Sequence, residues 1–269
     1  LSGCSLTDAE TVTIKVKNFG FMPQINIPVK YQADGGVIVT EVVAGPLNPG
    51  DDVLYTFATT VDLSDLGDHD ITAWTALATD TIYENDTTYR NILNVPYISS
   101  YPYFEDWETG DGNGWYVSGV NSTWELGFLD GPVINTPPVA TPESQNSWAT
   151  SLTANYNDDE ESFLESPCFD LSSLLLPYVE VDLWWVTEDT WDGMQLEYTT
   201  DGATWNVLGD IGTGENWYTN YAAALDGENG WVGNGPGWVT SHHDISFLAG
   251  APYVKFRFKF AADGIFNFD

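Results

Sequence analysis

Residues 162–209 constrain the fold more than any other stretch, because three strand signals follow one another there with a distinct turn between each pair. Across residues 178–186, Val179, Val181, Leu183 and Trp185 fall on one face of an extended chain and Glu180, Asp182 and Trp184 on the other, the two-residue period of a half-buried strand. After a turn at residues 189–193, Met194, Leu196 and Tyr198 alternate with Gln195, Glu197 and Thr199. Asp201-Gly202 then closes a hairpin onto residues 205–208. Connections this short join antiparallel neighbours, whereas a parallel crossover needs about a dozen residues or more.

The N-terminal part reads the same way. Val12, Ile14 and Val16 alternate with Thr13, Lys15 and Lys17; Ile25, Ile27, Val29 and Tyr31 form a second two-residue period, and Asp34-Gly35-Gly36 turns into residues 37–43. Further strand signals at residues 53–57, 70–77 and 87–95 are spaced as in an immunoglobulin-like sandwich. A chain of 269 residues is long enough for two cores. The boundary falls in the short proline-bracketed linker from Val95-Pro96 to Tyr101-Pro102. The expectation is an all-β protein: an immunoglobulin-like β-sandwich over residues 1–97, then a larger jelly-roll β-sandwich over residues 98–269.

Charge narrows the partners. Forty acidic residues against seven basic ones give a formal net charge of -33, and no Lys or Arg occurs between Arg90 and Lys255. Nucleic acid and anionic membrane are poor partners for such a chain, and no apolar run approaches the roughly 18 residues that span a bilayer. Self-repulsion on this scale calls for salt or bound cations; an acidic surface kept for solubility explains it as well.

A resemblance is carried by Ser166-Pro167-Cys168-Phe169-Asp170-Leu171-Ser172, Trp184-Trp185, Asp192-Gly193 and the run from Tyr198-Thr199-Thr200-Asp201-Gly202 to Trp205. Together with Tyr103-Phe104-Glu105, Gly114-Trp115, and Leu248-Ala249-Gly250 before Val254-Lys255-Phe256-Arg257-Phe258, the wording over residues 101–269 resembles the MAM-like or cleaved-adhesin-type jelly rolls of secreted Bacteroidota proteins. In the first domain Asn18-Phe19-Gly20, Pro49-Gly50-Asp51 and Glu84-Asn85-Asp86 resemble adhesion-related immunoglobulin-like domains of bacterial surface proteins. The resemblance implies a cell-surface adhesin or filament module exported by type IX secretion, with a closing strand after residue 269 that this stretch lacks. It also implies a structural calcium held in part by Glu105.

The residues themselves add candidates. Glu105, Asp106, Asp111 and Asn113 lie in a glycine-rich loop whose oxygens can curl round a hard cation such as Ca2+. Asp158 and Asp159 belong to a second acidic cluster, which as a charge run reads more readily as a solvated turn. Trp217, Tyr218, Trp231 and Trp238, in a long loop rich in Gly and Asn, could stack on sugar rings or could pin that loop to its own sandwich. Asp80-Thr81-Ile82 and Asp86-Thr87-Thr88 fit the pattern of Bacteroidota O-glycosylation at Thr81 and Thr87. His69, His242 and His243 have no zinc-site spacing and are expected at the surface or in hairpins. Leu1-Ser2-Gly3-Cys4 has the pattern of a lipobox without a charged or long apolar segment before it, and buried free thiols are the default expectation for Cys4 and Cys168. Lys255, Arg257 and Lys259 share one face of a strand, where neighbouring carboxylates should pair with them.

No nucleophile elbow, phosphate loop or zinc motif is present. The leading expectation is a non-catalytic structural or adhesive segment of a large secreted surface protein, stabilised by calcium. Its partners would be neighbouring domains of the same long chain, surface glycans or other cell-surface proteins. The alternative is a carbohydrate-binding accessory module of a secreted hydrolase or protease.

Overall fold

The computed structural model describes residues 3–128 and 145–264. Its regular structure among those residues is β-strand with four single-turn 3-10 segments. The chain divides into two compact units, Leu1–Pro96 and Tyr97–Asp269.

The first unit contains β1 (Gly3–Cys4), β2 (Thr13–Lys17), β3 (Ile27–Ala33), β4 (Val39–Val43), β5 (Asp52–Thr56), β6 (Gly67–Thr75) and β7 (Thr87–Val95). One sheet has the order β1-β7-β6-β3-β4, with β1 parallel to β7, and β2 pairs with β5 in the other. A short first strand parallel to the last, beside a run of hairpins, is an immunoglobulin-like arrangement. Strand alternation sends Ile27, Val29 and Tyr31 inward to meet Val16, Phe57 and Ala73, and the Tyr31 and Phe57 rings meet edge to face at 4.8 Å. His69, expected at the surface or in a hairpin, lies on β6 opposite Ile92 of β7 and is buried: Nδ1 lies 2.7 Å from Asp34 Oδ2 and Nε2 2.8 Å from the Asp65 carbonyl. These bonds satisfy both ring nitrogens, so the imidazole can be buried without a metal.

The second unit comprises β8 (Tyr97–Ile98), β9 (Tyr116–Val120), β10 (Trp124–Phe128), β11 (Asn146–Thr150), β12 (Glu161–Phe169), β13 (Tyr178–Leu183), β14 (Gly193–Thr199), β15 (Asn206–Val207), β16 (Asn220–Tyr221), β17 (Asn229–Gly230), β18 (Val239–Asp244) and β19 (Val254–Ala261). Its main sheet has six strands in the order β15-β14-β19-β12-β8, with β9 also on β12. The remaining strands pair as β10-β11, β13-β18 and β16-β17. The strand signals of residues 162–209 are present, but of their short connections only that from β14 to β15 joins antiparallel neighbours: β13 pairs with β18 in a separate sheet, its apolar face packed on the core, and not with β14. Asp201 shapes the turn between β14 and β15 by accepting the amides of Ala203 and Thr204 at 2.8 and 2.7 Å.

The Ser166-Pro167 motif has a local cause. Pro167 has no N–H to give to the ladder, and the register between β12 and β19 shifts between Glu165 and Cys168. Ser166 Oγ accepts the Phe256 amide at 2.9 Å, so a side chain satisfies the backbone group at the bulge. At the β9 edge, Gly119 has φ +104° and a Cβ there would stand 2.3 Å from the Glu161 carbonyl, so only glycine permits this approach.

Strand β19 sorts its residues by face. Val254, Phe256, Phe258 and Phe260 enter the core. Lys255, Arg257 and Lys259 point the other way and are paired with Glu165 at 3.1 Å, Glu197 at 2.5 Å and Glu161 at 3.2 Å. Arg257 is also sandwiched between the rings of Phe163 and Trp205, at 4.0 and 4.2 Å.

Neither Cys4 nor Cys168 is a free thiol; both are disulfide-bonded, which corrects the default expectation. A cysteine's neighbours along the chain do not say whether its thiol is free, because a disulfide is decided by Cα separation and Cβ direction. The closing strand expected after residue 269, and residues 266–269 themselves, lie outside the described residues.

Candidate functional site

Opposite the six-stranded sheet of the second unit, β10-β11 and β13-β18 are separate pairs, and an apolar cleft opens where they face the sheet. Leu164, Met194, Phe258 and Phe260 from the main sheet form its floor. Trp107, Trp124 and Trp148 line one side; Trp184, Trp185 and Trp238 line the other, beside Val181 and Leu183 of β13. The cavity volume is about 170 Å³. Trp185 is 5 % exposed, while the other five indoles are half-buried and keep part of their surface toward solvent.

The acidic loop before β9 holds one wall. Glu105 accepts the Trp107 amide at 3.1 Å and the Asn113 side-chain amide at 2.7 Å, and Asp111 accepts Thr109 Oγ1 and the Asn113 amide. Glu108 Oε1 takes the amides of Gln145 and Asn146 at 2.6 and 2.8 Å, which ties the loop to the start of β11. Trp107 thereby meets Trp148 edge to face at 6.4 Å. Gly112, at φ +72°, lies under Trp148, where a Cβ would come within 3.2 Å of the indole. Below β10, the buried Glu160 accepts Thr123 N, Thr123 Oγ1, Ser162 Oγ and Asn157 N, fixing the residue that precedes Trp124.

The indole nitrogens divide into two sets. Core tryptophans are satisfied: Trp217 Nε1 donates to the Leu208 carbonyl at 2.8 Å, Trp231 Nε1 to the Asn216 carbonyl at 3.0 Å and Trp115 Nε1 to Tyr103 Oη at 3.1 Å. In the cleft, the buried indole N–H groups of Trp124, Trp148 and Trp185 have no hydrogen-bond partner. Buried donors are nearly always paired, and an unpaired one costs about 1–3 kcal/mol. All three nitrogens are enclosed by protein, so what the cleft presents is the half-buried aromatic surface of its tryptophans rather than their N–H groups.

Behind this cavity stands a group of carboxylates. Tyr156, which lines the cleft, donates to Asp192 Oδ2 at 2.7 Å, and the Asp263 amide donates to Asp192 Oδ1 at 2.9 Å. Carboxylate oxygens of Glu188, Asp192 and Asp263 lie within 4.8 Å of one another. Burial, reinforced by Asp263 and Glu188, pushes the Asp192 carboxyl above its ordinary value despite those hydrogen bonds.

The residues singled out from sequence are redistributed. Trp217, Tyr218 and Trp231 offer no surface to a sugar: they are 2 %, 5 % and 0 % exposed and pack on one another with centroids 4.8–5.4 Å apart, pinning the loop as aromatic core. Trp238 alone of the four reaches the cleft. Glu105, Asp106, Asp111 and Asn113 spend side-chain groups on their own loop, with Asp106 accepting the Glu108 amide at 3.1 Å. They do not converge with Asp158 and Asp159, whose carbonyls receive Asn121. Among the described residues the acidic, histidine or cysteine groups that do converge are Glu188, Asp192 and Asp263, none of which stood among the candidates. Thr81 and Thr87 are exposed, in a turn and at the start of β7. His243 is buried rather than superficial, with ring nitrogens 2.7 Å from the Asp244 carbonyl and 2.9 Å from Thr213 Oγ1, whereas His242 is half-buried against Tyr178. The cleft itself escaped the sequence reading; the density of tryptophan in this unit was its one signal.

No family model matches the chain, and no curated protein matches it. Among solved structures it is similar to a carbohydrate-binding module from the β-sandwich superfamily, at 10 % identity over 96 % of this chain and 93 % of that one, with a TM-score of 0.37. It is also similar to a Bacteroides uniformis β-glucuronidase, at 11 % identity over 99 % of this chain and 27 % of that one, with a TM-score of 0.24. With both TM-scores below 0.5, the functional reading rests on the cleft.

Proposed function

We propose that this chain is a non-catalytic carbohydrate-binding module whose ligand sits in the tryptophan-lined cleft of the second unit. The supporting observation is the gathering of half-buried indoles around one apolar cleft. A sugar ring presents C–H faces that stack on aromatic surfaces, so this ligand class uses what the cleft offers. It supports the accessory-module alternative over a purely structural adhesin segment, because a spacer has no use for an open, tryptophan-lined cleft. Such a module would work outside the cell, attached to a larger secreted protein; O-glycosylation at Thr81 and Thr87 is compatible with that setting.

Affinity electrophoresis through gels carrying individual soluble polysaccharides tests the reading. Retardation should be seen for the full chain and for Trp191→Ala, a half-exposed tryptophan outside the cleft, and should be lost in Trp148→Ala with its thermal transition intact. No retardation by any polysaccharide, or equal retardation of both variants, rejects it.

A further inference from the structure

Resting on the carbohydrate reading, the geometry points to an uncharged sugar as the ligand, to the exclusion of uronic and sulfated glycans. Among the described residues the cleft lining holds no lysine, arginine or histidine, and its hydroxyl-bearing side chains, such as Ser147 and Thr150, are neutral. An anionic sugar ordinarily needs a cation to replace the water stripped from its charge. The three cations of this unit are on the wrong side of the sheet. Phe258 and Phe260 of β19 floor the cleft, so the alternating Arg257 and Lys259 lie on the opposite face, as does Lys255. Each of these is also committed to a carboxylate.

The charges near the cleft have the sign of the ligand being excluded. Asp182 lines it directly. Tyr156 connects it to Asp192, around which Glu188 and Asp263 gather. A carboxylate or sulfate entering here would meet like charge at short range within a chain of net charge -33. A neutral hydroxyl would be accepted by the same walls. The cavity of about 170 Å³ is also below the roughly 300–1,000 Å³ usual for a drug-sized ligand, which suits a single ring more than a chain of rings.

The test is calorimetric titration of the full chain with matched pairs of neutral hexo-oligosaccharides and the corresponding oligouronates, each in low and high salt. The expected result is that at least one neutral member binds, that its uronate binds ~10-fold or more weakly, and that high salt narrows the gap by screening. Asp182→Asn should narrow it without salt. A uronate that binds as well as its neutral partner overturns the charge inference while leaving the carbohydrate reading standing. If no member of either class binds, the carbohydrate reading fails as well.

Discussion

The hydroxyl of Tyr156 donates to Asp192 Oδ2 at 2.7 Å, joining a residue of the cleft wall to a carboxylate that is itself 1 % exposed. Without that bond the buried oxygen would face Glu188 and Asp263 with one fewer compensating dipole. Tyr156→Phe should therefore cost about 1–3 kcal/mol of stability in the second unit. Because Asp192 titrates above its ordinary value of 3.8, its contribution is fully present below that value and is lost as pH rises through the higher folded-state value. Removing the hydroxyl should push the folded-state value up further and extend this loss to higher pH. Chemical denaturation across a pH series reads both; an unchanged pH profile would contradict the coupling.

Trp217 and Trp148 should fail in different ways. Trp217→Ala removes a 2 % exposed indole whose N–H is bonded to Leu208, and about 3–5 kcal/mol of stability should go with it. Trp148→Ala should cost less stability and abolish glycan retention. Parallel melts and binding measurements separate the two, and comparable stability losses would show that Trp148 is core rather than site.

Glu160 holds four donors with one buried carboxylate. Glu160→Ala strands them, at ~1–3 kcal/mol for each that water cannot reach, so the second unit should melt far lower. Glu160→Gln retains acceptor capacity at one oxygen only and should fall between. Equal melting of wild type and Glu160→Ala is the outcome incompatible with this role.

In the first unit the pH dependence has two opposite limbs. Asp34 holds His69 above its ordinary 6.5, helped by the Asp65 carbonyl, so that stabilisation is complete below 6.5 and disappears as pH rises through the folded-state value. Glu41 accepts the amides of Ala58 and Thr59 and the Tyr55 hydroxyl, which bring its carboxyl down from 4.5 to about 2. Its contribution is present above pH 4.5 and is lost as the pH falls toward 2. His69→Gln should flatten the neutral-to-alkaline limb and Glu41→Gln the acid limb, each without altering the other, in melts of the full chain monitored at the first-unit transition.

What could be read from the sequence was whatever depends on neighbours along the chain. The β14–β15 hairpin is written in Asp201-Gly202 and the sorting of β19 in its alternation. The cleft depends on residues from Trp107 to Trp238 that meet only after the sheets assemble. Trp217 and Trp231 occupy a loop of the right composition for sugar stacking, yet composition does not say which way a ring turns. Here the paired carbonyls of Leu208 and Asn216 decide it, by giving those indoles acceptors inside the core. In the acidic loop, Glu105 and Asp111 have oxygens suited to a cation, and the loop's own N–H groups also bond to them.

The two faces of β19 perform separate tasks with adjacent residues, and they share one register against β12 and β14. Slipping that strand by a single position would put Arg257 and Lys259 into the cleft floor and bring the phenylalanines out to their carboxylate partners. On the proposed reading, ligand affinity would double as a gauge of strand alignment: a misaligned chain could keep its β content yet lose its neutral, aromatic floor, so retention on a glycan column would select the correctly registered form.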